Sequence, residues 1–143
     1  ARRSPIPLVS IVEAACEAAL RARLGRLGLL GTRFTMDGRF YPDVFSRAGI
    51  ALVAPGKEDR TFVHDRYMGE LVKGVFSPET RSELLRIVSR MREADEVEGV
   101  LLAGTELPLL LQTPTIAGVP ALDTTALHVA AIVQRLRRAE AGT

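Results

Sequence analysis

Apolar positions along this chain come in two rhythms, short unbroken runs and helical stripes, and the two alternate. Ile11, Ala14, Ala15, Ala18 and Ala19 recur at the spacing of one helix face, which predicts a helix over residues 10–24. Ser10 and Glu13 have the spacing of a capping box at its start, and Gly25 is the expected stop. Residues 27–30 (Leu-Gly-Leu-Leu) read as a short buried strand, halted by Gly31-Thr32-Arg33-Phe34-Thr35. A helix over 40–48, stopped by Gly49, leads to a second strand at 50–53 that ends at Pro55-Gly56. Phe62, Tyr67, Met68, Leu71 and Val72 predict a helix over 57–73, interrupted by Gly74. Ser77 as N-cap and Pro78 at the first helical position open the next helix, which turns Leu84, Ile87, Val88 and Met91 inward and runs to 93. A third strand at 100–103 ends at Gly104-Thr105-Glu106-Leu107. A short fourth strand at 119–122 is followed by Asp123-Thr124-Thr125, which caps a final helix over 126–138.

Strands thus alternate with helices, and no hairpin signal is read between them. This predicts an α/β fold: an open parallel sheet wound on both sides into a three-layer sandwich. In such sheets ligands bind at the carboxyl ends of the strands. Two of those ends look like one device used twice, a buried strand followed by glycine and threonine: Gly31-Thr32 and Gly104-Thr105. Glycine permits a tight turn or a close backbone approach, and threonine offers a hydroxyl and an N–H where a helix starts, suited to carboxylate or phosphate. Asp123-Thr124-Thr125 is the third end. One reading makes all three ordinary turns and caps; the other joins them in a shared small-molecule site.

Composition narrows the class. Apolar residues make up 47% of the 143 residues and charged ones 25%, as in an ordinary globular domain. Aromatics are only 5% and there is no Trp, so the expected core is aliphatic, which suits a sheet buried on both faces. No apolar run approaches the ~20 residues that span a bilayer, so no membrane role is expected. The start, Ala1-Arg2-Arg3-Ser4-Pro5, lacks the hydrophobic segment of a signal peptide and lacks an initiator Met, so a processed or truncated piece is expected. Arginines cluster at Arg21, Arg23 and Arg26 and at Arg135, Arg137 and Arg138, yet the net charge is only +2. No aromatics interleave with them, so solvated helix ends are preferred to a nucleic-acid surface. The single Cys16 excludes an internal disulfide and fits a reducing cytoplasm. No His/Cys/Asp/Glu cluster has metal-ligand spacing and no Gly-rich nucleotide loop is present, so neither metal nor cofactor is expected.

Five segments resemble one family. Gly-Leu-Leu-Gly-Thr-Arg-Phe-Thr-Met (28–36) is similar to the strand and turn that open the second lobe of the aspartate/glutamate racemases. Leu-Leu-Ala-Gly-Thr-Glu-Leu (101–107) resembles that family's second catalytic segment, usually Gly-Cys-Thr-Glu. Leu-Val-Lys-Gly (71–74) is similar to its Val-Lys-Ala-Gly segment, and residues 119–128 to its closing Asp-Thr-Thr-x-x-His element. Ile6-Pro7-Leu8 fits the strand before a lobe-crossing helix. The resemblance implies a cofactor-independent isomerase of two pseudo-symmetric lobes, often dimeric. Its two opposed cysteines remove and return the α-proton of a small acidic amino acid on opposite faces.

Two departures qualify that implication. The family's Cys-Asn-Thr segment has no counterpart here, so much of the first lobe is expected to be absent. Gly104 stands at the position of the second catalytic cysteine, and glycine has no side chain to transfer a proton. The expected arrangement is a lobe-crossing strand and helix at 1–25, the second lobe at 26–118, and a closing strand and helix at 119–143. The resemblance implies substrate-binding roles for Thr32, Arg33, Thr35, Lys73, Thr105 and Glu106, and a tuning role for His128. Each has a plainer reading: Lys73 as a solvated helix-end lysine, Arg33 as a surface ion pair, Glu106 as a helix cap, and His128 as an ordinary core or surface residue. Cys16 reads as a small core residue and His64 as a helix-surface residue without a matched role. The expected function is that of a racemase-type protein, truncated or inactivated. The alternative is a non-catalytic carboxylate- or amino-acid-binding or partner protein. The expected partners are a small acidic amino acid or related carboxylate and a second copy or the missing lobe.

Overall fold

A computed structural model describes residues 10–111 and 113–141, so the expected 6–8 strand lies outside the described residues. The elements run α1 (Ile11–Arg21), β1 (Arg26–Leu30), α2 (Arg33–Asp37), α3 (Phe40–Arg47), β2 (Ala51–Val53) and α4 (Lys57–Gly69). A 3₁₀ turn (Leu71–Lys73), α5 (Pro78–Ala94), β3 (Gly99–Leu102), α6 (Leu107–Leu110), β4 (Thr115–Ile116), β5 (Val119–Asp123) and α7 (Thr124–Ala141) follow. The strands form one sheet in the order β2-β1-β3-β5-β4. Its first four strands are parallel, as the alternation of strands and helices predicts.

The sheet is buried on both faces because side chains alternate along each strand. Leu27, Leu29 and Leu101 enter one cluster, with Val12, Ala15, Cys16 and Ala19 of α1 and Phe45 of α3. Leu30, Val100 and Leu102 enter the other, with Tyr67 of α4 and Leu84, Ile87, Val88 and Met91 of α5. Each fully buried leucine contributes about 1.5–3 kcal/mol relative to exposure. Helix α1 packs beside α7 as well as on the sheet, so its alanine stripe is covered within this chain.

Four local expectations need correction. Helix α1 stops before Gly25: Arg23 adopts the left-handed conformation (φ 59°). The N–H groups of Arg23 and Leu24 then bond back to the carbonyls of Leu20 and Ala19, closing a Schellman motif usually served by glycine. Relieving the Cβ cost by Arg23→Gly is expected to stabilise the chain by about 0.5–1 kcal/mol. A thermal melt checks it, and an unchanged or lower midpoint contradicts it. The predicted 57–73 helix is broken, because α4 ends at Gly69 and Leu71–Lys73 make a separate 3₁₀ turn. A hairpin does exist: β4 pairs antiparallel with β5 through Ala117-Gly118, both at positive φ (51° and 84°). That is the backbone of a primed two-residue turn, made here without the Asn-Gly pair that announces one. Finally, two short helices, α2 and α6, follow the two Gly-Thr turns.

Candidate functional site

Strand register levels the carboxyl ends of three adjacent strands, β1, β3 and β5. Leu30 of β1 pairs with Leu102 of β3, and Leu102 with Asp123 of β5. The turns after them, beginning at Gly31, Ala103 and Thr124, therefore emerge side by side. They are tied together: Ala103 N–H donates to the Leu30 carbonyl at 2.9 Å, and the buried Thr124 hydroxyl donates to the Leu102 carbonyl at 3.1 Å. Gly31 is required by closeness, since a Cβ there would stand 2.9 Å from the Ala103 carbonyl oxygen. The Asp123 carboxylate accepts from Ala126 N–H at 3.0 Å, capping α7 as its sequence predicts.

At the end of β1, Thr32 is the N-cap of α2, although its side chain makes no capping bond. Its hydroxyl lies 3.5 Å from that of Thr35, so two predicted site residues do meet. The Arg33 N–H donates to His64 Nδ1 of α4 at 2.9 Å, and the Arg33 guanidinium donates to the Thr61 hydroxyl at 3.4 Å. His64 thus lies half-buried on α4, as a helix-surface residue should, and in addition meets the first turn of the candidate site.

The end of β3 is built differently, and the two Gly-Thr turns are not equivalents. Helix α6 begins only at Leu107, with Glu106 at the N-cap position but making no capping hydrogen bond. The Glu106 carboxylate instead accepts through Oε1 from the Tyr67 hydroxyl at 2.6 Å and from the Thr105 hydroxyl at 2.8 Å. The capping reading of Glu106 is therefore replaced by a polar cluster. These donors, Tyr67 first, hold the Glu106 carboxyl below its ordinary range, against a smaller opposing effect of burial. Burial, and then the neighbouring carboxylate, push the Tyr67 phenol well above its usual range.

Tyr67 also explains Gly104. A Cβ on residue 104 would lie 2.1 Å from the Tyr67 hydroxyl oxygen and 2.8 Å from two of its ring carbons. Real non-bonded carbons do not approach so closely, so the phenol occupies the space of a side chain at 104. Sequence reasoning missed Tyr67 by treating it only as an apolar helix position. Its signal was the polar tip, which needs a partner when the ring is buried.

The remaining predicted residues are less tightly drawn in. Lys73 is exposed, in the turn after α4, and forms no ion pair with a described residue. His128 is half-buried, four residues after Thr124 on the first turns of α7. Tyr41 of α3 packs against the cluster that holds Phe45, and burial pushes its phenol above the usual range, against a smaller opposing effect of the Thr124 side chain. Cys16 lies buried in α1, away from all three turns, and burial raises its thiol pKa, as suits an inert core cysteine. Among the described residues no group of three or more His, Cys, Asp or Glu side chains is arranged to hold a metal ion. No helix among them is long and apolar enough to cross a membrane.

A mostly parallel α/β sheet that brings hydroxyls, a carboxylate and an arginine to its strand ends defines an open-sheet α/β architecture. Residues 1–132 match the Asp/Glu/hydantoin racemase family, and the chain belongs to it. It is similar to the crystal structure of a putative Asp/Glu racemase from Yersinia pestis, with TM-score 0.82 and 33% identity over 90% of this chain. It is equally similar in fold to an aspartate racemase homologue from Pyrococcus horikoshii OT3, with TM-score 0.82 and 29% identity over 90% of this chain. It spans 55% of the length of each of those two proteins. An uncharacterized protein from the pnlA 3′ region of Pectobacterium carotovorum subsp. carotovorum is 31% identical over 108 residues, 73% of this chain and 68% of that protein.

Proposed function

We propose that this chain is a racemase-type lobe that binds a small acidic amino acid or related carboxylate at the ends of β1, β3 and β5 and transfers no proton by itself. The observation that carries this is the Gly104–Tyr67 pair: a phenol stands where a side chain at 104 would stand. Inversion at an α-carbon needs a base on one face and an acid on the other. Residue 104 supplies neither, and the one thiol, Cys16, is buried in α1. Thr32, Thr35 and Thr105 offer hydroxyls, while Arg33 and Lys73 offer cations for the ligand's carboxylates. Lys73 takes this role on the resemblance of its segment alone, as does His128 its place beside the reacting centre. The non-catalytic binding reading is favoured over an active racemase by the same pair.

The site reading divides the chain into crossing elements at 1–25, the second lobe at 26–118 and a closing unit at 119–143. Val129, Val133 and Leu136 leave an apolar stripe on α7, 54%, 39% and 37% exposed, which suits pairing with a second copy or with the other lobe. A single buried cysteine suits the reducing cytoplasm. Incubation of the chain with L-aspartate or L-glutamate in D₂O tests the catalytic part by proton NMR. The expected result is an undiminished α-proton signal with unchanged chirality. Deuterium at the α-carbon overturns it.

A further inference from the structure

Resting on that reading of the site, we propose that Glu106 is the acceptor for the ligand's ammonium group, positioned for it by Tyr67 and Thr105. Three observations converge on it. Both neutral donors, the Tyr67 and Thr105 hydroxyls, bind the same oxygen, Oε1, and no bond to a described side chain occupies Oε2. The carboxylate is half-buried at the end of a central strand, yet no lysine or arginine among the described residues pairs with it. The forces on its ionisation are hydrogen bonds and burial, with no cation among them. A partly desolvated carboxylate fixed by neutral donors retains its negative charge and a free lone pair, and a charge-assisted hydrogen bond from an ammonium group satisfies both.

The placement of Tyr67 makes this arrangement specific to a chain with glycine at 104. The phenol reaches Glu106, 39 residues away in sequence, through the space a side chain at 104 would fill. With any such side chain, Tyr67 must leave and Glu106 loses its stronger donor. Tyr67 is accordingly a positioning residue, and the ligand class is a cationic amine that also carries carboxylate, as a free amino acid does.

The test measures ligand affinity by NMR shifts of the backbone amides at 104–106 in the 143-residue chain. Four probes are used: L- and D-aspartate, succinate (the same two carboxylates without the ammonium) and alaninamide (the ammonium without a carboxylate). Aspartate is expected to bind at least tenfold more tightly than succinate. Glu106→Gln is expected to weaken aspartate at least tenfold while changing succinate less than twofold. Tyr67→Phe is expected to weaken aspartate about threefold and to raise the titration midpoint of the Glu106 carboxyl carbon towards the ordinary carboxylate range. If succinate matches aspartate, or Glu106→Gln binds aspartate normally, the ammonium assignment is overturned and the acidic-ligand reading stands. If alaninamide binds in a Glu106-dependent way and neither dicarboxylate binds, the acidic-ligand reading fails and the ammonium assignment stands. No saturable shift with any probe overturns both. An unmoved Glu106 midpoint in Tyr67→Phe removes Tyr67 from the assignment.

Discussion

Gly104→Cys is expected to destabilise the chain by about 1–3 kcal/mol and to yield no proton-transfer activity, because the new side chain collides with Tyr67. The Cβ alone would sit 2.1 Å from the phenol oxygen and 2.8 Å from ring carbons, so a small rotation of the hydroxyl does not suffice. The ring itself must move, and it is walled in by the cluster that holds Leu71, Leu102 and Leu107. Moving it also breaks the 2.6 Å bond to Glu106. Truncating the aromatic side chain by Tyr67→Ala costs about 3–5 kcal/mol through the cavity it leaves. In the double variant the thiol enters space the ring vacated, so the two losses are expected to be less than additive by about 0.5–3 kcal/mol. Urea unfolding of the four proteins reads this coupling directly. Additive losses contradict the steric account, as does a Gly104→Cys variant as stable as the parent. Restoring a thiol to this site therefore requires that Tyr67 be changed with it, a condition that the lone Gly104 substitution does not reveal.

Phe45→Ala is expected to cost about 3–5 kcal/mol, a large share of the 5–15 kcal/mol typical of a whole domain. Phe45 is fully buried on α3 and is the largest side chain of the cluster formed with Val12, Leu27, Leu29, Ile50 and Leu101. It joins α1, α3 and the β1–β2 side of the sheet, where Ile50 N–H also bonds the Phe45 carbonyl at 2.9 Å. The nearest ring, Tyr41 one turn earlier on α3, is only partly buried and already packs against this cluster. A loss under about 1 kcal/mol in urea unfolding would contradict this placement of the core.

Much of the sheet was legible because its strands are continuous aliphatic runs bounded by glycine. Leu27, Leu29 and Leu30, and Val100, Leu101 and Leu102, are buried on alternate faces as such runs require. Caps were legible for the same local reason: Ser10 and Ser77 each accept from two N–H groups of the helix they open. Elements of a turn or less were not legible. Helix α2 has five residues, α6 four and β4 two, too few to show a period. The end of α1 misled because a Schellman turn can be closed by arginine at the cost of strain, while Gly25 nearby looked like the natural stop.

At the candidate site, the placement of Thr32, Thr35, Thr105 and Glu106 just after strands was legible, and register brings those turns together. The roles of His64 and Tyr67 were not. His64 answers to a backbone N–H 31 residues away, and Tyr67 to a carboxylate 39 residues away. Nothing in either residue's own segment encodes such a partner. The absence of a side chain at 104 was visible in the sequence; the phenol that takes its place was visible only in three dimensions.

The central claim is that the strand ends bind a small acidic amino acid, and amide chemical-shift mapping during an aspartate titration tests it most directly. Saturable shifts are expected to concentrate at residues 31–35, 64, 67, 104–106 and 123–128. Shifts confined to the groove between α1 and α3, lined by Glu13, Glu17 and Arg47, or no saturable shift at all, would contradict it.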